Sequence, residues 1–254
     1  MNVLAAVIPG APLLVPALAA GSAYADADLR RAVRDCEERL VAGGPEPPVV
    51  VVGTAPTTGL VEGTWDWAPF GLPAGGAATR GPPCGRALPT ALAVGAWFLD
   101  EADPGRARTY LGVSEQESPA ACAALGAALS SPTAPMPGGT CSALRLLVVA
   151  DGSARRTEKA PGHLDPRAEP YDAALVHALR VGDPSALLGL DAEQGRALLA
   201  AGRAPLQVLA GAVRHAAPEA FAGAQVSHVD DPYGVLYVVA RWWTGMRPAQ
   251  MRAG

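Results

Sequence analysis

The side chains best suited to chemistry in this sequence are concentrated in one polar segment, residues 151–167. The segment follows an apolar run (LRLLVVA, 144–150), and its candidate binding residues are Asp151, Ser153, Arg155, Arg156, Lys159 and His163. Guanidinium groups match the geometry of carboxylates and phosphates, so these residues predict a cationic rim around a small anionic ligand. The alternative is a solvated loop whose ion pairs contribute ~0–1 kcal/mol each.

Other patterns that could support catalysis or metal binding are weak. The four histidines (His163, His177, His215 and His228) lack the spacing of metal ligands, and the four cysteines (Cys36, Cys84, Cys122 and Cys141) form no C-x-x-C pair. Free buried thiols are expected, although Cys84 in PPCGR is also a candidate reactive thiol. Ser153 lies in D-G-S-A-R, which lacks the second glycine of a nucleophile elbow. We therefore expect no metal site from spacing alone.

Composition limits the classes of partner. Of 254 residues, 50% are hydrophobic and 17% charged, and the formal net charge is −4. These values allow a sizeable core, and the absence of a basic stripe argues against nucleic acid as a partner. The first basic residue is Arg30, and prolines interrupt the N-terminal apolar run at Pro9, Pro12 and Pro16. We therefore expect no signal peptide, no membrane span and a cytoplasmic location.

Apolar periodicity predicts strands that alternate with helices. Strands are expected over 4–8, 49–52, 109–113, 144–150, 225–228 and 235–240, and helices over 28–41, 88–101, 119–129, 169–180, 191–201 and 205–215. The pattern predicts one α/β domain over 1–254 with a central, mostly parallel sheet between layers of helices. Residues 54–83, with Trp65 and Trp67, form either a functional loop or a flap packed on the core. Residues 234–243 form either a core strand or an interface.

Ligands of open α/β sheets bind beyond the carboxyl ends of the strands, and four segments here lie at or near such ends. They contain IPGAP (8–12), GTAP (53–56), ADGSA (150–154) and AGRAP (201–205). In this order they resemble the site segments of the B-type class III extradiol ring-cleavage dioxygenase family and the related Memo family. The stretch 161–175 (PGHLDPRAEPYDAAL) resembles that family's G-x-x-D-x-R-A-x-x-F-D segment. The likeness extends from about residue 3 to about residue 213.

The resemblance implies an extradiol dioxygenase-like fold with a site at the strand ends. In the family's dioxygenases, two histidines and a carboxylate hold ferrous iron and a further histidine acts as the base. The corresponding positions here hold Gly10, Pro56, Ala154 and, for the Memo-type cysteine, Ala201. None of these side chains can bind a metal or move a proton. If the resemblance is sound, we expect the four residues to converge on one cavity.

Three hypotheses about function follow. The first is a family member without metal-dependent ring cleavage that binds a small anionic or aromatic ligand at the strand ends. The second is an active dioxygenase or related oxidoreductase that holds ferrous iron through other ligands. The third is a non-catalytic component of a larger assembly, in a homo-oligomer or with a partner chain that carries the chemistry. The sequence leaves open whether the chain is an enzyme.

Overall fold

The computed structural model describes residues 1–19, 27–44, 47–72, 86–131, 143–217 and 221–245. Several features considered in the sequence lie outside these residues. They are Cys84, Cys141, the A-Y-A sequence at 23–25 and the second part of the irregular segment 54–83.

Seven strands and seven helices make up the described fold. The strands are β1 (Asn2–Ile8), β2 (Val49–Thr54), β3 (Gly59–Val61), β4 (Arg108–Val113), β5 (Ala143–Val149), β6 (Phe221–Asp230) and β7 (Tyr237–Thr244). The helices are α1 (Ala27–Val41), α2 (Thr90–Ala102), α3 (Pro119–Leu129), α4 (Ala168–Val181), α5 (Pro184–Leu188), α6 (Ala192–Ala197) and α7 (Arg203–Ala216).

The strands form one mixed sheet in the order β3-β4-β2-β5-β1-β7-β6. Its four central strands (β4, β2, β5 and β1) are parallel, whereas β3, β7 and β6 join by antiparallel pairing. The register places Val149 beside both Ile8 and Gly53, and Gly53 beside Gly112. The carboxyl ends of the four parallel strands therefore meet at one edge of the sheet.

Helices cover both faces of the sheet, as predicted. One core lies between the sheet and α1 and α2, and it includes the buried Trp65 and Trp67. The other lies between the opposite face and helices α3 to α7. Val49 to Val52 are almost completely buried, because β2 lies at the centre of a sheet that is covered on both faces. The expected layered α/β fold is confirmed at this level.

Helix starts follow the local sequence closely. Ser118 accepts a hydrogen bond from the backbone N–H of Ala121, and Pro119 opens α3. Asp191 caps α6 by accepting a hydrogen bond from the backbone N–H of Gln194 at 2.6 Å. The cap at Asp191 was expected, but α6 ends at Ala197 and therefore earlier than the predicted residue 201.

Some elements differ from the sequence prediction. The five-residue α5 was not expected, and its start is fixed by Asp183, which accepts hydrogen bonds from the backbone N–H groups of Ser185 and Ala186. The strand predicted over 225–228 extends over 221–230. The stretch 234–243 contributes a core strand, because β7 lies between β1 and β6 and buries Trp242. None of the helices in the described part of the chain is both long and apolar enough to cross a membrane.

Candidate functional site

A cavity of about 1370 Å³ lies at the carboxyl ends of the parallel strands. Each strand contributes the segment that follows it: Gly10 after β1, residues 55–57 after β2, residues 114–116 after β4 and Asp151 after β5. Ala201, just before α7, closes one side. The remaining lining residues are Thr54, Leu60, Val61, Glu62, Gly63, Arg86, Ala87, Leu88, Pro89, Thr90, Ala91 and Val149. The cavity therefore occupies the position where open α/β sheets bind ligands.

Asp151 is the lining residue most firmly fixed by backbone contacts. Its Oδ1 accepts a hydrogen bond from the backbone N–H of Gly10 at 2.9 Å, and its carbonyl oxygen accepts one from the backbone N–H of Gly202 at 2.8 Å. Burial raises the pKa of the Asp151 carboxyl to about 6, while the bond from Gly10 acts in the opposite direction. The carboxyl group is thus held in one orientation in a site that disfavours its charge.

Two glycines make the close approach around Asp151 possible. A Cβ atom on Gly10 would lie 3.2 Å from Cγ1 of Val149 and 3.3 Å from Oδ2 of Asp151. A Cβ atom on Gly202 would lie 2.5 Å from the carbonyl oxygen of Asp151 and 2.7 Å from Cβ of Ala150. A larger side chain at position 10 would therefore press against the carboxyl group, and one at position 202 would separate the start of α7 from β5.

The wall formed by residues 114–116 is held by Arg203, a buried residue at the start of α7. Its guanidinium group donates to the carbonyl oxygens of Glu115 and Glu117 and to Oε1 of Gln207. Gln207 in turn donates to the carbonyl oxygens of Leu187 and Leu190. Sequence reasoning did not single out Arg203, although its position beside Ala201 and Gly202 was a usable signal.

The end of β2 is joined to the same region of the chain. The hydroxyl of Thr54 donates a hydrogen bond to the carbonyl oxygen of Ala201. Three walls of the cavity are consequently tied to the segment that leads into α7.

The charged side chains that line the cavity are mostly acidic. Asp151, Glu62 and Glu115 contribute carboxylates, and Arg86 is the cationic side chain among the described lining residues. The sequence did not mark Glu62, Arg86 or Glu115, because they belong to segments without a regular apolar period.

The four positions matched to the family's metal and base residues converge only in part. Gly10, Pro56 and Ala201 line the cavity. Ala154 is buried elsewhere, where its backbone N–H donates to the carbonyl oxygen of Leu198 at 3.0 Å. The expectation of a single meeting point therefore holds for three positions, and Ala154 needs correction because it lies in the connection to the loop before α7.

The candidate binding residues 151–163 do not gather around one ligand. Asp151 lines the cavity, but Ser153 is completely buried against Asp172. The hydroxyl of Ser153 donates to Oδ2 of Asp172 at 2.6 Å, and its backbone N–H donates to Oδ1 at 2.8 Å. Arg156 lies 3.8 Å from Asp172 and 2.8 Å from Asp231. Ser153 and Arg156 thus belong to a network that joins this segment to α4 and to the β6–β7 connection.

The remaining candidates also lie away from the cavity lining. Arg155 forms an ion pair with Asp165 at 3.4 Å, and Asp165 pairs with Arg167 at 2.7 Å. These contacts lower the pKa of the Asp165 carboxyl below its usual range, the bond from Arg167 having the largest effect. Lys159 and His163 are exposed. The polar segment folds largely on itself, which is why the predicted cationic rim is not part of the cavity.

The side chains around the cavity do not fit a ferrous ion. Such iron prefers imidazole and carboxylate ligands on one face with open positions for oxygen. All four histidines lie in the described residues, and none lines the cavity. Across the described ranges, no three His, Cys, Asp or Glu residues lie close enough together to hold a metal ion. No step involving iron can be derived from these residues.

Comparison with known proteins adds information on the fold. No protein-family model and no curated protein matches this chain. Among solved structures, the chain is similar to an uncharacterized protein, JW3007, from Escherichia coli K12, with a TM-score of 0.50 and 13% sequence identity. The similarity covers 95% of this chain and 99% of that chain. At this identity the likeness extends to the fold alone, and it covers nearly the whole length of both chains.

Proposed function

We propose that this chain is a member of the B-type class III extradiol dioxygenase family that binds a small aromatic molecule in the strand-end cavity without metal-dependent ring cleavage. One observation carries the proposal. Gly10, Pro56 and Ala201, which correspond by resemblance to site residues of that family and the Memo family, line the same cavity and carry no ligand atoms in their side chains. A retained cavity without metal ligands supports binding rather than oxygen chemistry.

The shape and composition of the cavity support an organic ligand. Its volume of about 1370 Å³ accommodates a molecule of drug size. Apolar side chains from β3, α2 and β5 and from the segment before α2 provide contact surface for a ring: Leu60, Val61, Leu88, Ala91 and Val149. Polar groups converge from other walls, among them Thr54, Ser114 and Asp151. Apolar surface with a few fixed polar groups is typical of ligand sites.

The proposal is tested first by metal content and oxygen uptake. Protein purified with iron and zinc available is measured by elemental analysis, and oxygen consumption is followed with catechol and 4-methylcatechol. We expect far less than one iron per chain and no catechol-dependent oxygen uptake. Iron at about one per chain together with catechol turnover would overturn the proposal in favour of an active dioxygenase.

Binding is tested with a variant that fills the cavity. The Cβ of Ala91 lies 3.8 Å from the position of a Cβ on Gly10, so Ala91→Leu adds atoms to the same space. Ala124→Leu, at an exposed position on α3, is the matched control. Ligand-observed NMR with neutral and charged benzyl compounds should give saturation transfer for the wild type and for Ala124→Leu, and a strong reduction for Ala91→Leu. Equal signals for all three proteins would place binding elsewhere and contradict the proposal.

A further inference from the structure

The distribution of charge in the strand-end cavity bears on the class of ligand. Carboxylates enter from three separate segments: Glu62 after β3, Glu115 after β4 and Asp151 after β5. Arg86 is the counter-charge among the described lining side chains, and it is exposed. The acidic excess comes from walls that the fold brings together and is not a local run in the sequence.

The neighbouring arginines do not reverse this balance. Arg155 pairs with Asp165 at 3.4 Å, and Arg156 pairs with Asp231 at 2.8 Å. Arg203 is only 2% exposed, and its guanidinium donates to backbone carbonyls and to an amide oxygen. None of the three lines the cavity. An anion in the cavity would therefore face carboxylates without one of these guanidinium groups as a partner.

The Asp151 carboxyl group retains capacity to accept hydrogen bonds. Oδ1 accepts the backbone N–H of Gly10, whereas Oδ2 accepts no hydrogen bond within the described part of the chain. Oδ2 lies 3.3 Å from the point where a Cβ on Gly10 would be, a space left open because residue 10 is glycine. A carboxylate accepts several hydrogen bonds, and those from a charged donor are the strongest.

We infer that the cavity selects an organic cation, specifically a primary amine with an aromatic or apolar body, whose ammonium group pairs with Oδ2 of Asp151. This inference rests on the proposed function and specifies its ligand class. The ammonium group donates to Asp151, Glu62 and Glu115 supply further negative potential, and the apolar body contacts the side chains of β3 and α2. The bond from Gly10 keeps the carboxyl group oriented before the ligand arrives, which reduces the ordering required on binding.

The test uses three probes of one shape that differ in charge: benzylamine, benzyl alcohol and benzoate. Affinities are measured by ligand-observed NMR titration at pH 7.5 for the wild type, Asp151→Asn and Ala91→Leu. We expect the wild type to bind benzylamine at least about 10-fold more tightly than benzoate, because a charged hydrogen bond is replaced by like-charge repulsion. Asp151→Asn should weaken benzylamine about 10-fold or more and change benzyl alcohol much less.

A second set of variants keeps the inference testable if Asp151→Asn folds poorly. Glu62→Gln and Glu115→Gln each remove one charge from the lining, and each should weaken benzylamine by a smaller factor, about 2-fold to 5-fold. Circular dichroism checks the fold of every variant. The Asn side chain at position 151 can still accept the backbone N–H of Gly10, so the local geometry should persist.

The outcomes separate this inference from the proposed function. Benzoate bound as tightly as benzylamine, with both lost in Ala91→Leu, would overturn the cation preference while leaving the cavity as a binding site. Benzylamine bound equally by the wild type, Asp151→Asn and the two Gln variants would overturn the role of the carboxylates. Failure of all three probes to bind would overturn the proposed function and this inference with it.

Discussion

Gly10 and Asp151 are separated by 141 positions in sequence, yet the backbone N–H of Gly10 donates a hydrogen bond to Oδ1 of Asp151 at 2.9 Å. The contact joins the segments that follow β1 and β5, which are adjacent parallel strands. Glycine at position 10 allows it, because the space of a side chain there is the space in front of the carboxyl group. The pair fixes the direction in which the cavity presents its buried acid.

The first prediction concerns the pH dependence of stability. Burial raises the pKa of Asp151 from 3.8 to about 6, so the folded state holds its proton more tightly than the unfolded state. The stabilising contribution of the protonated carboxyl is full below about pH 4 and is lost as the pH rises through about 6. Asp151→Asn has no such loss. The free energy of unfolding of the variant, relative to wild type, should therefore rise by roughly 1–3 kcal/mol between about pH 4 and about pH 7.

Urea unfolding at several pH values across that range measures the difference. Other buried acids are common to both proteins and cancel in the comparison. A difference that stays constant with pH would mean that Asp151 ionises with an ordinary pKa.

A second prediction concerns the space in front of Asp151. Gly10→Ala places a Cβ 3.2 Å from Cγ1 of Val149 and 3.3 Å from Oδ2 of Asp151, so these neighbours must shift slightly. We expect the variant to fold with a loss of about 1 kcal/mol in unfolding free energy and to bind benzylamine several-fold more weakly. Gly189→Ala, where the nearest atom would be 3.4 Å away, is the control and should change neither quantity much. Unchanged binding in Gly10→Ala would show that the ligand does not approach Oδ2.

The sequence predicted the regular elements much better than the site. β2 and α3 were readable because Val49 to Val52 form an unbroken apolar run and because Ser118 and Pro119 give a clear helix start. The short α5 was missed because five residues are too few for a periodic pattern to develop. The α/β class and the mostly parallel centre of the sheet followed from the alternation of these elements.

The cavity itself depends on contacts that no local pattern contains. Glu62 and Glu115 line the same space as Asp151 only through the order of the strands, which places β4 and β2 between β3 and β5. Arg156 was expected at a ligand, but its partner Asp231 comes from the β6–β7 connection, 75 positions away. A guanidinium placed beside a strand end in sequence can thus be neutralised by a carboxylate from a distant segment.

A third prediction tests the packing of α3 against α7. A Cβ on Gly126 would overlap the carbonyl oxygen of Val208 and lie 2.5 Å from the backbone nitrogen of Ala212, so the two helices must separate in Gly126→Ala. We expect a loss of about 3 kcal/mol in the free energy of unfolding, despite the better helix propensity of alanine. Gly105→Ala is the control, since its nearest contact would be at 3.9 Å. Equal stability of both variants in denaturant titrations would contradict the close crossing.

A fourth prediction concerns the ion-pair network of Arg156. Arg156→Ala leaves the largely buried carboxylate of Asp172 without a cation that lies 3.8 Å away, and it removes the 2.8 Å pair with Asp231. We expect a loss of about 2 kcal/mol in the free energy of unfolding, because Asp172 is largely desolvated. Benzylamine binding should stay within about 2-fold of wild type, since Arg156 does not line the cavity.

The control for Arg156→Ala is Arg31→Ala, which breaks an exposed pair with Asp28. That change should cost less than about 1 kcal/mol. A large loss of ligand affinity in Arg156→Ala would return this arginine to the binding site.

The hydrogen bonds around α7 decide how a molecule enters and leaves the cavity. The end of β2 and the loop after β4 are both attached to the start of that helix, through Thr54 and Arg203, so these walls can move only together. The opposite wall includes β3, three residues at the edge of the sheet that pair with β4, and its Leu60 is 73% exposed. Passage therefore requires the fewest broken contacts on the β3 side, and this doorway should exchange backbone amide hydrogen faster than the walls that α7 holds.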